Sequence, residues 1–135
     1  MIKATLDTSV YIRALHLGGP AATLIGHARA GNMRIDISDT ILNETIRVLR
    51  DKFQWNGYRL HDAREKLLTL GHHITPTLTL NVIKEDPDDY RILECAATAE
   101  SNYIVSVDKD LLRLERYGDA RIVNIVEMLE VLAQA

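Results

Sequence analysis

Short apolar runs alternate along this chain with longer stretches in which apolar residues recur every three or four positions. Ile2-Lys3-Ala4-Thr5-Leu6, closed by Asp7, reads as a short buried strand. Thr8 and Ser9 supply cap chemistry for a helix through Val10, Tyr11, Ile12, Ala14 and Leu15, which Gly18-Gly19-Pro20 stops. A second helix is expected over residues 21–30, ending at Gly31-Asn32, and a strand over 33–37. Ser38 and Asp39 cap a third helix, whose apolar residues Ile41, Leu42, Ile46, Leu49 and Phe53 fall at helical spacing. Asn56-Gly57 breaks the chain before a helix over 58–70, ended by Gly71, with His72-His73 marking the helix end. A loop then leads to a strand over 78–83, and Asp86-Pro87 opens a helix to residue 101. A strand over 103–107, a short helix over 111–116, a turn at Gly118, a strand over 121–124 and a helix to residue 132 complete the chain.

The resulting order, βααβααβαβαβα, predicts a parallel sheet with helices on both faces and right-handed crossovers. With 135 residues and 47% hydrophobic content, the chain suits one domain around one core. No stretch approaches the roughly 18–20 consecutive apolar residues of a membrane span, and the N-terminus lacks a charged start followed by a long apolar run. A soluble, cytoplasmic protein with no membrane partner is expected. The single Cys95 has no second cysteine to bridge and reads as a small residue packed on a helix.

A formal net charge of −3 does not advertise nucleic-acid binding. The distribution of charge changes that picture. If several carboxylates gather in one metal-loaded pocket, the rest of the surface is closer to neutral or basic. Eleven of the sixteen basic residues are arginines, which suit phosphate contacts.

Four acidic segments are candidates for such a pocket. Asp7 and the run Asp108-Lys109-Asp110 each follow an apolar strand and lead into a helix, where open α/β sheets build their sites. Each also reads as an ordinary helix cap. Asp86-Pro87-Asp88-Asp89 has the composition of a common helix start, but Asp89 stands three and four residues before Ile92 and Leu93, on the apolar stripe. An inward-facing acid needs a partner. Glu44 sits at the border of the apolar face of its helix and reads either as a site residue or as the surface partner of Arg47. Several carboxylates brought together without a cation would repel one another. Oxygen-only ligands suit Mg²⁺ or Mn²⁺, and no histidine or cysteine set has zinc spacing.

Read in series, Leu6-Asp7-Thr8-Ser9-Val10, Glu44 in the third helix, Asp86-Pro87-Asp88-Asp89-Tyr90 with Ile92-Leu93 and Ala96-Ala97, and the run from Ile104 to Leu112 resemble the motifs of PIN domains over nearly the whole chain. The nearest flavour is that of bacterial toxin-antitoxin toxins similar to VapC-type ribonucleases. The resemblance implies a three-layer α/β/α fold with a central parallel sheet of four to five strands. It also implies a Mg²⁺- or Mn²⁺-dependent endoribonuclease, with Asp7, Glu44, Asp89 and Asp108 as the acidic quartet and Asp110 and Asp86 as further metal-ligand candidates. Ser9 fits the small hydroxyl position after the first Asp. Ser106 departs from the Thr that relatives often place before the last motif, although either hydroxyl suits a supporting role. Arg13, Arg47 and Arg50 are candidate RNA contacts, and Trp55 and Tyr58 either stack a base or pack. A toxin role implies a small antitoxin protein as partner and a homodimer or higher oligomer.

Two other functions are weighed beside this one. A phosphotransfer domain with an acceptor Asp wants either a lysine at a later strand end or a second Asp two residues after the first. Here Ser9 occupies that second position, and the Asp-x-Asp comes late, at Asp108. A catalytically silent PIN-like module that binds RNA or protein is expected to have lost one of the quartet, and all four positions are acidic.

Overall fold

A computed structural model describes residues 1–76 and 87–135, the side chains of residues 87–89 excepted. Its strands are β1 (Ile2–Leu6), β2 (Met33–Ser38), β3 (His72–Ile74), β4 (Tyr103–Val105), β5 (Arg116–Tyr117) and β6 (Ala120–Val123). They form one sheet in the order β3-β2-β1-β4-β6-β5. All neighbours run parallel except β5, which pairs antiparallel with β6. The helices are α1 (Thr8–Ile12), α2 (Gly19–Arg29), α3 (Asp39–Asp51), α4 (Gly57–Leu70), α5 (Pro87–Ala99), α6 (Lys109–Leu114) and α7 (Ile125–Gln134). They flank the mostly parallel sheet as the alternation predicts, with α5 packed across β1, β2, β3 and β4 and α2 lying between β2 and α7. The fully buried Leu6, Ile35, Leu49, Leu93, Ile104 and Met128 anchor the core.

Helix ends follow local chemistry. Ser38 accepts from the Ile41 amide, Asn56 from Arg59, and Asn124 exchanges two hydrogen bonds with Glu127 in a capping box. The first helix is not one continuous α-helix through Leu15. It widens at Arg13–Leu17 into a π-helical turn, closed by the Gly18 amide on the Arg13 carbonyl at 2.9 Å. Gly18 ends it, while Gly19 and Pro20, expected to be part of the stop, form the first turn of α2.

Two strands correct the sequence expectation. His72-His73 follow the end of α4 at Leu70, as expected, and also begin β3, which pairs with Asp36, Ile37 and Ser38 of β2. Both imidazoles meet carboxylates, His72 Nδ1 on Asp36 Oδ1 at 3.3 Å and His73 Nε2 on Asp39 Oδ1 at 2.6 Å, contacts that a local pattern does not reveal. The strand expected over 78–83 lies outside the described residues. Arg116 leaves the short helix, because α6 ends at Leu114 with Glu115 in a left-handed conformation (φ 61°). With Gly118 (φ 58°), this turns the chain into a β5–β6 hairpin whose first strand no pattern announced, so that among the described residues the five parallel strands carry an antiparallel sixth at one edge.

Gly71 shows how tightly α4 delivers the chain to β3. A Cβ added there would lie 2.5 Å from Ile37 Cγ2 and 3.1 Å from the Leu67 carbonyl oxygen. Gly71→Ala should therefore destabilise the protein by about 1–3 kcal/mol, as overpacking does. A urea unfolding midpoint equal to that of the wild type would show that Ile37 gives way freely.

Candidate active site

The sheet order reverses at β1. The chain moves outward from β1 through β2 to β3, then returns to place β4 on the other side of β1. In open α/β folds the crevice beyond the carboxyl ends of the strands at such a point is where ligands bind. Asp7 follows β1 there, and its amide extends the ladder by donating to the Val105 carbonyl at 2.9 Å. Asp108 comes three residues after the end of β4.

Asp7 occupies the cap position of α1, yet its carboxylate makes no capping hydrogen bond to that helix. Asp7 Oδ2 instead accepts from Ser106 Oγ at 2.8 Å and from Ser9 Oγ at 3.4 Å. The buried Ser106 hydroxyl accepts in turn from the Asp108 amide at 2.9 Å. One hydroxyl thus ties the two acidic segments together. Burial pushes the Asp7 carboxyl above its ordinary value; the Ser106 hydrogen bond and the Thr8 amide draw it back, the negative charge of Asp108 raises it again, and Ser9 lowers it. Asp108 also keeps its ordinary role, since Oδ1 caps α6 by accepting from the Asp110 amide at 2.8 Å.

These two aspartates open onto a cleft of about 580 Å³, with Glu44 also on its wall. From α3 the stripe Thr40, Glu44, Val48 and Lys52 lines it, one residue per helical turn. From α1 and the π-helical turn come Thr8, Ser9, Ile12, Arg13 and Leu17, and from α5 Arg91 and Ile92. The half-buried Glu44 receives Arg47 in two hydrogen bonds, at 2.6 and 3.2 Å, so it is both a wall residue and an ion-pair partner.

The remaining candidates fall elsewhere. Asp110 is exposed and pairs with Arg113 at 3.0 Å. Arg13 lines the cleft, whereas Arg47 is engaged with Glu44 and Arg50 with Asp51, and neither is a wall residue. Trp55 is buried beneath the Arg59 guanidinium, 3.7 Å above its ring, and Tyr58 is exposed away from the cleft. Asp86 and the Asp89 side chain lie outside the described residues.

Lys52 and Arg91 are wall cations that the sequence analysis did not single out. The available signal was spacing, since Lys52 lies eight residues after Glu44 on the same stripe and Arg91 adjoins Ile92. Asp36 was also missed. It is fully buried in β2, with Arg34 Nε at 2.7 Å, Ser101 Oγ donating at 2.7 Å, and His72 beside it.

Among the described residues, no three histidine, cysteine, aspartate or glutamate side chains are grouped so as to hold a metal ion. The donors that the cleft does offer are carboxylate and hydroxyl oxygens, without imidazole or thiol, a set that fits Mg²⁺ or Mn²⁺ rather than zinc. Arg13, Lys52 and Arg91 give the same cleft a means of attracting an anionic ligand.

A family profile described as PIN domain matches residues 3–110. Among solved structures, a chain in the crystal structure of VapBC2 from Rickettsia felis bound to a DNA fragment from their promoter is similar in fold. The superposition has a TM-score of 0.65 and covers 91% of this chain and 98% of that one, at 15% identity. No curated protein matches the sequence. Among the described residues, no helix is long and apolar enough to cross a membrane.

Proposed function

The chain belongs to the PIN domain family, and from that premise we propose that it is a Mg²⁺- or Mn²⁺-dependent endoribonuclease acting as the toxin of a toxin-antitoxin pair. The observation that carries this reading is the Asp7–Ser106–Asp108 arrangement: a carboxylate raised by burial and by a second carboxylate, facing a cleft lined by cations. Such a pair is costly to the protein alone and favourable around a divalent ion.

In this reading Asp7 and Asp108 hold the cation. Glu44 and Asp89, the latter three residues before the wall residue Ile92, complete the quartet, with Asp86 and Asp110 as outer acids. When bound, the ion polarises the scissile phosphoryl oxygen and offsets the charge that builds on it. Ser106 fixes Asp7 Oδ2 and so would orient this carboxylate for the ion. Arg13 and Arg91 draw the RNA backbone into the cleft, and the apolar walls restrict access of bulk water. Each Glu44 oxygen accepts one hydrogen bond from Arg47 and keeps a second lone pair with which it could serve as a ligand.

The fold shared with a chain of the VapBC2 assembly supports a small antitoxin protein as partner. A homodimer or higher oligomer is the assembly proposed with it. The test is incubation of the purified protein with mixed structured RNAs in Mg²⁺ or Mn²⁺, alongside EDTA and an Asp108→Asn variant. Cleavage lost in both controls is the expected result. No cleavage of any RNA by the wild type would turn the reading toward a silent PIN-like binding module.

A further inference from the structure

The cleft has two chemically different ends. Asp7 and Asp108 set its acidic end, with Glu44 on the α3 wall, whereas Leu17, Val48, Lys52 and Phe53 supply an apolar and cationic lining. Lys52 stands eight residues beyond Glu44, about 12 Å along the helix at 1.5 Å per residue. The far end is therefore too distant to share the ion and close enough to touch the same bound strand.

Three features at this end call for a ligand with a flat apolar face and a negative charge. Leu17 is 71% exposed at the cleft wall, an apolar surface without cover. Phe53 is half-buried and lines the cleft, while its ring is braced by the His16 imidazole at 4.3 Å between centroids. The exposed Lys52, the residue before Phe53, brings a cation to the same cleft wall. A lysine at the end of a helix also complements the helix dipole, but that role does not require it to line a cleft.

The backbone departs from regular geometry on both walls of the same end. Arg13–Leu17 is the π-helical turn, and Gln54, directly after Phe53, has φ 56° without being glycine. Both conformations are uncommon and recur at functional sites. The left-handed Gln54 lets the residues on either side of it serve opposite surroundings, Phe53 the cleft and Trp55 the core.

We propose that Leu17, Val48, Lys52 and Phe53 form a nucleobase subsite, which stacks one unpaired base of the RNA strand on Phe53 while Lys52 contacts its phosphate. The proposal rests on the ribonuclease reading and adds to it that the strand must be single at a fixed distance from the cut. Stacking on an aromatic ring tolerates any base, so the subsite selects for an unpaired nucleotide more than for a sequence.

The probe is a ten-nucleotide single-stranded RNA spanning the cleavage position found with the structured RNAs, together with a series in which one abasic residue is moved along it. Binding to the full chain is read by fluorescence anisotropy in EDTA, and kcat and KM in Mg²⁺. An abasic residue at one position should weaken wild-type binding about tenfold. Phe53→Leu, which keeps most of the packing volume, should show the same loss with the intact RNA and no further loss with that abasic probe. Lys52→Gln should weaken all probes alike and flatten the salt dependence by about one ion. Leu17→Ser, on the opposite and exposed wall, gives the same discrimination should Phe53→Leu fail to fold by thermal melting. A flat abasic series, or variants with wild-type KM while RNA is still cut, overturns the subsite and leaves the ribonuclease standing. No RNA binding and no cleavage position overturn both.

Discussion

Asp7→Asn is expected to abolish the proposed cleavage and, in the absence of metal, to raise the melting temperature. The two effects have one cause. The Asp7 carboxyl titrates above its ordinary 3.8 in the folded protein, first because it is buried and further because Asp108 is near. Between 3.8 and the folded value, the folded state holds more protons than the unfolded chain, so stability falls as pH rises through that window. Below 3.8 the penalty is absent, and above the folded pKa it is complete. Asparagine carries no charge to bury, and its side-chain oxygen can still accept from Ser106. The variant's advantage should therefore grow as pH rises above 3.8 and level off toward neutrality, at roughly 3–6 °C in Tm per kcal/mol for a chain of this length. Mn²⁺ should raise the wild-type Tm by mass action and leave the variant's nearly unchanged. Loss of a ligand should cost at least about a hundredfold in cleavage, beyond what removal of an outer partner costs. A variant that melts below the wild type in EDTA at pH 7, yet still responds to Mn²⁺, would remove Asp7 from the site.

The second large effect lies beneath the sheet's polar face, away from the cleft. Arg34→Met should destabilise the protein by about 3–5 kcal/mol, the usual cost of stripping a buried charge of its partner. Asp36 is fully buried, and Arg34 Nε lies 2.7 Å from Oδ1 while its Nη2 also donates to the Ala99 carbonyl at 3.1 Å. Ser101 and His72 remain, but neither is a permanent cation. Against a total stability of about 5–15 kcal/mol, this loss is large. Replacing both residues, Arg34→Met with Asp36→Leu, should recover part of it, because no charge is then left in the interior. Guanidinium unfolding of the three variants gives the full cycle, and a single variant within 1 kcal/mol of wild type would mean that Ser101 and His72 suffice for Asp36.

The strand ends that matter most for the cleft were legible because strand-to-helix switches leave a clear trace. An apolar run, an aspartate and then cap residues are enough to put Asp7 and Asp108 at the carboxyl edge of the sheet. Periodicity could not resolve Glu44, and the structure explains the ambiguity: the side chain lines the cleft while being held by the surface residue Arg47. Asp36 escaped because alternation in β2 implies a wet face, whereas α5 and the residues after it cover that face with Cys95, Ala99 and Ser101. β3 escaped because its histidines are satisfied by carboxylates 36 and 34 residues away. β5 has only two residues and depends on Glu115 and Gly118 in left-handed conformations, too little chain for any period to appear.

The same covered face holds the chain's single thiol. Cys95 is fully buried on α5, its sulfur 3.8 Å from Thr5 Oγ1, and burial pushes its pKa up to about 11. A neutral, enclosed sulfur does not react with alkylating reagents at neutral pH while the fold is closed. The protein consequently carries its own clock for opening. When reclosing outpaces alkylation, the rate of a single mass addition follows the open population. The open fraction of this chain can then be read without denaturant, from the rate at which molecules gain a single alkyl group on one sulfur.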